Sequence, residues 1–138
     1  YISDFYFGSL QSEKSGTPLL QIEPIADKTL RLNVNTDIFV GRSLEEINEK
    51  LKETKKNLAE NLEEAVIHEC GHAKSLKGLK ISEIQDLYKE LGNVHIDGVS
   101  KIAFNDGAEC LAEIEILIAR GNKLPENVLE FYNKYMRR

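Results

Sequence analysis

Apolar and polar residues alternate with a period of two along Thr29–Asn35, where Leu30, Leu32 and Val34 are separated by Arg31, Asn33 and Asn35. Successive side chains of a strand point to opposite faces, so this pattern predicts a half-buried strand. Residues 19–25 carry a weaker version of it, and Ala26-Asp27-Lys28 supplies the turn between the two. Pro24 has no N–H to give to a ladder, which predicts that the first of these strands lies at an edge or ends there. Residues 1–20 mix aromatics with Gly8, Ser12, Ser15, Gly16 and Pro18 without a sustained period, and predict an irregular lead-in.

From Ser43 onward the period becomes helical. Ser43-Leu44-Glu45-Glu46 fits a capping box. Leu44, Ile47, Leu51, Leu58, Leu62, Ala65 and Val66 keep helical spacing, with room for a break in the polar run 52–57. A helix over residues 61–76 follows, ended by Gly78, with Lys74 and Lys77 suited to its negative end. Ser82 caps a further helix whose stripe Ile81, Ile84, Leu87, Tyr88 and Leu91 reads as core, closed by Gly92. Residues 93–105 show no period and read as a functional loop. Asp106 caps a helix reaching about Arg120, and Pro125 opens the last one, with Leu124, Val128, Leu129, Tyr132 and Tyr135 inward. Strands first and helices after make the class α+β, a small N-terminal antiparallel or mixed sheet followed by helices.

Composition narrows the function classes. The 138 residues fit one domain, able to bury a core without metal or disulfides as its sole support. A net charge of -5 and the lack of a basic run exclude a phosphate-backbone binder, so nucleic acid is not an expected partner. No apolar run approaches the roughly 20 residues that cross a bilayer, and no membrane association is expected. The N-terminus has no signal-peptide order and no initiator Met, which predicts a domain excised from a longer parent chain. Cys70 and Cys110 are too few for a disulfide framework and are expected as buried thiols.

Chemistry concentrates in His68-Glu69-Cys70-Gly71-His72. Two imidazoles four residues apart on a helix point the same way, and the Glu between them lies on nearly the same face, where it can take a proton from an activated water. Cys70 turns away from that face. The alternative reading is a pair of partly buried helix histidines. A catalytic zinc needs a third protein ligand and an open position, and Glu109 and Glu113, four apart on an otherwise apolar helix, are the obvious source. Unpaired carboxylates in a core are costly, whereas a metal ligand and an acceptor for an imidazole N–H are both satisfied. His95 and Asp106 remain open as ligands, and Glu113 could instead pair with a basic side chain.

HECGHA followed by AECLAEIEILIARG resembles the glutamate-ligand zincin metallopeptidases, above all the anthrax lethal-factor-like domains and those attached to phage minor head proteins and bacterial toxins. The resemblance covers residues 29–136. It implies a zincin-like fold in which an active-site helix is followed by a glutamate helix and a closing C-terminal helix. It also implies Zn2+ held by His68, His72 and Glu109, with Glu69 as general base and Glu113 supporting the site. Leu30, Leu32 and Val34 resemble the edge strand along which a peptide or protein substrate lies. The implied setting is a phage particle or a secreted effector.

One departure stands out. The family places a Tyr shortly before the glutamate helix to stabilise the oxyanion, and this chain reads Ser100-Lys101-Ile102-Ala103-Phe104 there. His95, Lys101 or Tyr88 is the replacement, with His95 the catalytic candidate beside Glu69, or the domain is weakly active or inactive. The expected function is a zinc-dependent endopeptidase; the rival is a degenerate zincin acting as a non-catalytic binding or structural module.

Overall fold

A computed structural model of the protein describes residues 2–10, 18–54 and 57–136. It has three strands, β1 (Ile2–Gly8), β2 (Leu20–Ala26) and β3 (Thr29–Asn35), and then α1 (Thr36–Phe39), α2 (Leu44–Thr54), α3 (Leu62–Leu76), α4 (Ile81–Gly92), α5 (Lys101–Asn105), α6 (Gly107–Ala119) and α7 (Glu126–Met136). The class is therefore α+β, a small mixed sheet with helices dominant. Among the described residues no helix is long and apolar enough to cross a membrane.

The strand order is β1-β3-β2, with β1 parallel and β2 antiparallel to β3. Part of the expected lead-in is therefore a strand; its Ser12, Ser15 and Gly16 lie outside the described residues. A register irregularity between Ile2 and Asp4 puts Ile2 out of phase with Phe5 and Phe7, which is why no period survives in the sequence. The order also corrects the substrate strand. β3, with Leu30, Leu32 and Val34, is central and has its backbone paired on both sides, so no peptide can add to it. β1 and β2 are the two edges, and β2 is thus an edge strand, one of the two outcomes expected from Pro24.

The turn between β2 and β3 puts Lys28 at a φ of 57° and fastens the sheet to the helices. Lys28 N–H donates to Leu79 C=O at 2.9 Å, and Asp27 Oδ1 accepts the Ile81 N–H at 2.9 Å. Asp27 thus supplies the cap expected of Ser82. Leu30 packs with Ala73, Leu76 and Ile84. A second core joins α6 to α4, α5 and α7 through Leu91, Ala103, Leu111, Ile114, Val128 and Phe131. Each large apolar side chain buried there stabilises the fold by about 1.5–3 kcal/mol. Leu129 faces outward, 45% exposed, against expectation.

Between these cores α3 and α6 pack unusually closely. A Cβ on Gly71 would stand 2.8 Å from Ala112 Cα and 3.1 Å from Glu115 Cγ, so the glycine inside the motif lets the two helices meet. Cys70 beside it is exposed, contrary to the buried thiol expected, whereas Cys110 is buried.

Candidate metal centre

Both helices that build the site start where their sequence says they should. Asn61 Oδ1 accepts the Glu64 N–H at 2.8 Å at the head of α3, and Asp106 Oδ1 accepts the Ala108 N–H at 2.8 Å at the head of α6. These caps satisfy donors that have no partner inside the helix and fix its phase. His68 and His72 then project from α3 with ring centroids 4.9 Å apart.

Glu109 reaches both imidazoles from the first turn of α6. Its Oε2 lies 3.0 Å from His68 Nε2 and its Oε1 3.3 Å from His72 Nε2. Among the described residues, His68, His72 and Glu109 form the one group of three His, Cys, Asp or Glu side chains whose ligand atoms all lie within 4.8 Å of one another. Ligands bonded to a tetrahedral zinc at about 2.0–2.1 Å stand about 3.3 Å apart, and two His with one Glu is the donor set of an open catalytic site. The residues therefore fit such an ion.

Glu113 is fully buried, 0% exposed, and His68 is 4% exposed. Glu113 Oε2 lies 3.0 Å from His68 Nδ1. A carboxylate accepts only, so Nδ1 donates and Nε2 is left for a metal. The other oxygen, Oε1, accepts the Leu58 N–H at 2.9 Å and the Ser100 hydroxyl at 3.1 Å. Three segments of chain thus converge on one carboxylate.

These contacts set the charges of the metal-free site. Burial alone lowers the pKa of His68, but the hydrogen bonds to Glu109 and Glu113 outweigh it and carry it up to about 10. Burial pushes Glu109 up, and its bonds to His68 and His72 overcome this, holding it well below the usual carboxylate range. Glu69 moves the other way: burial raises it, against the opposing charges of His72 and His68.

Glu69 lies in a cleft of about 310 Å³ together with the three ligand residues, Leu20, Gln21 and Ile22 of β2, and Tyr88 and Ile102. Its Oε2 accepts the Ile22 N–H at 3.2 Å. Asn35 N–H donates to Leu19 C=O at 3.0 Å, so the antiparallel alternation turns the backbone of Leu20, Ile22 and Pro24 away from β3. The free edge of β2 is thus the rim of the cleft.

His95 is not brought there. Its Nδ1 pairs with the Phe104 carbonyl at 3.0 Å and its ring lies against Phe104, outside the lining of the cleft. Lys101 lines a neighbouring cavity of about 730 Å³ that shares Asn57 and Ile102 with the cleft. Of the three replacements considered for the missing Tyr, Tyr88 is the one in the cleft. Its position in the apolar stripe of α4 marks it as core, yet it is 40% exposed. Burial of the phenol, aided by the charges of Glu109, Asp106 and Glu69, pushes it up to about 12.

Sequence reasoning missed Ser100 and Leu58 as partners of Glu113. Ser100 carries a signal, since its hydroxyl caps α5 by accepting the Ala103 N–H at 3.2 Å, but it stands in a segment whose lack of period reads as loop. Leu58 left none, because a backbone N–H carries no residue identity.

Comparison with family models, curated proteins and solved structures finds no match to this chain. The functional reading therefore rests on the residues themselves.

Proposed function

We propose that this domain is a zincin-like, zinc-dependent endopeptidase. The observation that carries the reading is the convergence of His68 Nε2, His72 Nε2 and the Glu109 carboxylate beside Glu69, under the free edge of a strand. When bound by His68, His72 and Glu109, Zn2+ supplies Lewis-acid activation of water and of a peptide carbonyl. Glu69 takes the proton of the attacking water and passes it to the leaving amine. Its raised pKa suits that exchange, and the Ile22 N–H orients the carboxylate before substrate arrives. Tyr88, a protonated phenol in the cleft, is the group that donates to the developing oxyanion. An extended peptide pairs with the outward carbonyls of Leu20, Ile22 and Pro24 and with the Leu20 N–H, the Ile22 N–H staying on Glu69, which favours protein and peptide substrates over small molecules.

A second reading, a degenerate zincin serving as a binding or structural module of a phage particle or toxin, draws on Ile102. This apolar residue lines the cleft from the stretch where the family's Tyr is expected. The two readings separate in one experiment. Wild type and Glu69→Gln are assayed for metal content and for cleavage of a broad peptide library. We expect equal zinc in both and cleavage by wild type alone, with a loss of about 10²–10⁴-fold in the variant. Zinc bound equally with no cleavage by wild type would sink the enzyme and leave the module.

A further inference from the structure

We propose that Arg120 is a positioning residue of the metal centre, holding the Leu58 segment on Glu113 and so keeping the His68 imidazole in its metal-binding orientation. The proposal rests on the metal reading above. Leu58 belongs to the connection between α2 and α3, and its backbone is gripped at both ends. Its N–H donates to Glu113 Oε1 at 2.9 Å, and its C=O accepts from Arg120 Nη2 at 2.6 Å. Arg120 is the C-cap of α6, about two turns beyond Glu113 and hence on the same face, and the Leu58 segment crosses that face between them.

The guanidinium is itself fixed from α3. Arg120 Nε and Nη2 donate to Glu64 Oε2 and Oε1 at 2.6 and 2.7 Å, a bidentate geometry that a single-point cation cannot reproduce. Glu64 precedes His68 by one helical turn, as His68 precedes His72. Besides the Lys74–Glu115 pair, the facing sides of α3 and α6 therefore carry three successive polar rungs: His72 with Glu109, His68 with Glu109 and Glu113, and Glu64 with Arg120. The first two rungs carry the ligands, and the third ties down the loop that supports the second. The field of Glu113 is also felt at Arg120, so the guanidinium offsets part of the charge of a fully buried carboxylate. Without Arg120 the Leu58 segment loses its outer anchor. Glu113 is then held by fewer donors, and its grip on His68 Nδ1 loosens.

The test compares zinc affinity, by chelator competition, and the visible spectrum of the cobalt-substituted protein in wild type, Arg120→Ala, Arg120→Lys and Tyr132→Phe. Tyr132 ties α3, α6 and α7 through Lys74 and Glu115, away from the Leu58 segment, and serves as the stability control. In Arg120→Ala we expect zinc affinity to fall about tenfold, the low end for loss of a group outside the ligand set, together with an altered cobalt spectrum. Arg120→Lys should recover part of both, and Tyr132→Phe should leave both unchanged while lowering the melting temperature. Wild-type affinity and spectrum in Arg120→Ala overturn the proposal, as does an equal loss in Tyr132→Phe. If Arg120→Ala does not fold, Glu64→Gln decides: a smaller loss in the same direction supports the role, and none overturns it. A wild type that takes up neither metal overturns the metal reading itself and this proposal with it.

Discussion

The Ile22 N–H on β2 donates to Glu69 Oε2 on α3 at 3.2 Å, so the free edge of the sheet and the candidate general base are joined by one hydrogen bond. This bond uses an outward backbone donor that β3 does not need. On the endopeptidase reading proposed above, it would make the edge strand part of the catalytic apparatus as well as the rim for a peptide. Replacing Ile22 separates the two roles of the residue, since its side chain packs against the cluster of Leu30, Ala73, Leu76 and Ile84 while its N–H bonds Glu69. Ile22→Ala and Ile22→Pro both lose packing, but only proline removes the N–H. We expect both to melt earlier and only Ile22→Pro to lose kcat at unchanged zinc affinity. Equal kcat in the two variants would show that the bond does not orient the base.

Glu113→Gln is expected to weaken zinc binding by about 10–100-fold, the usual cost of losing the acceptor behind a ligating His. The His68 and Leu58 N–H groups meet opposite oxygens of this carboxylate, so a carboxamide in the same place must set its NH2 against one of them. Isothermal titration with zinc checks this, and unchanged affinity would remove Glu113 from the centre.

The site's two helices were legible because their information is local. The spacing of His68, Glu69 and His72, the cap at Asp106, and two acids on an apolar helix are all visible within a few residues. What could not be read is what only pairing decides. Which of two alternating strands is the edge depends on β1, whose parallel partner lies far along the chain and whose irregularity hides its own period. Pro24 was the single local clue, and it pointed correctly to β2. Tyr88 shares the helical spacing of buried Ile84 and Leu91, so spacing alone could not separate a cleft residue from a core one.

Tyr88→Phe tests the donor assigned to the oxyanion. The phenol, pushed up to about 12, stays protonated and able to donate throughout the neutral range. We expect kcat to fall about 10²-fold with KM and zinc content unchanged, as for loss of one such donor. A fall in KM-dependent binding alone would instead make Tyr88 a wall of the cleft.

Gly71→Ala is expected to cost about 1–3 kcal/mol, the range for forcing a methyl into a packed interface. The added Cβ would meet Ala112 Cα at 2.8 Å, and backbone cannot yield as a flexible side chain would. Because His68 and His72 stand on one helix and Glu109 on the other, separating α3 from α6 should weaken zinc binding along with the fold. Denaturant unfolding with and without zinc measures both, and a variant as stable as wild type would mean the helices meet less closely than this.

The proton on His68 makes metal binding and stability depend on pH in a defined direction. In the metal-free protein its folded pKa, about 10, lies above the ordinary 6.5. A group raised in this way adds stability that is fully present below its unfolded value and is lost as pH rises through the folded one. The metal-free fold should therefore lose stability between about pH 6.5 and about pH 10. Zinc needs the neutral imidazole, so its binding expels this proton, and the zinc-loaded protein should lack that decline. Melting curves at about pH 6 and about pH 9.5, with and without zinc, read the difference. Calorimetry in two buffers of different ionisation enthalpy should report proton release at neutral pH. Zinc uptake without proton release would place His68 outside the ligand set.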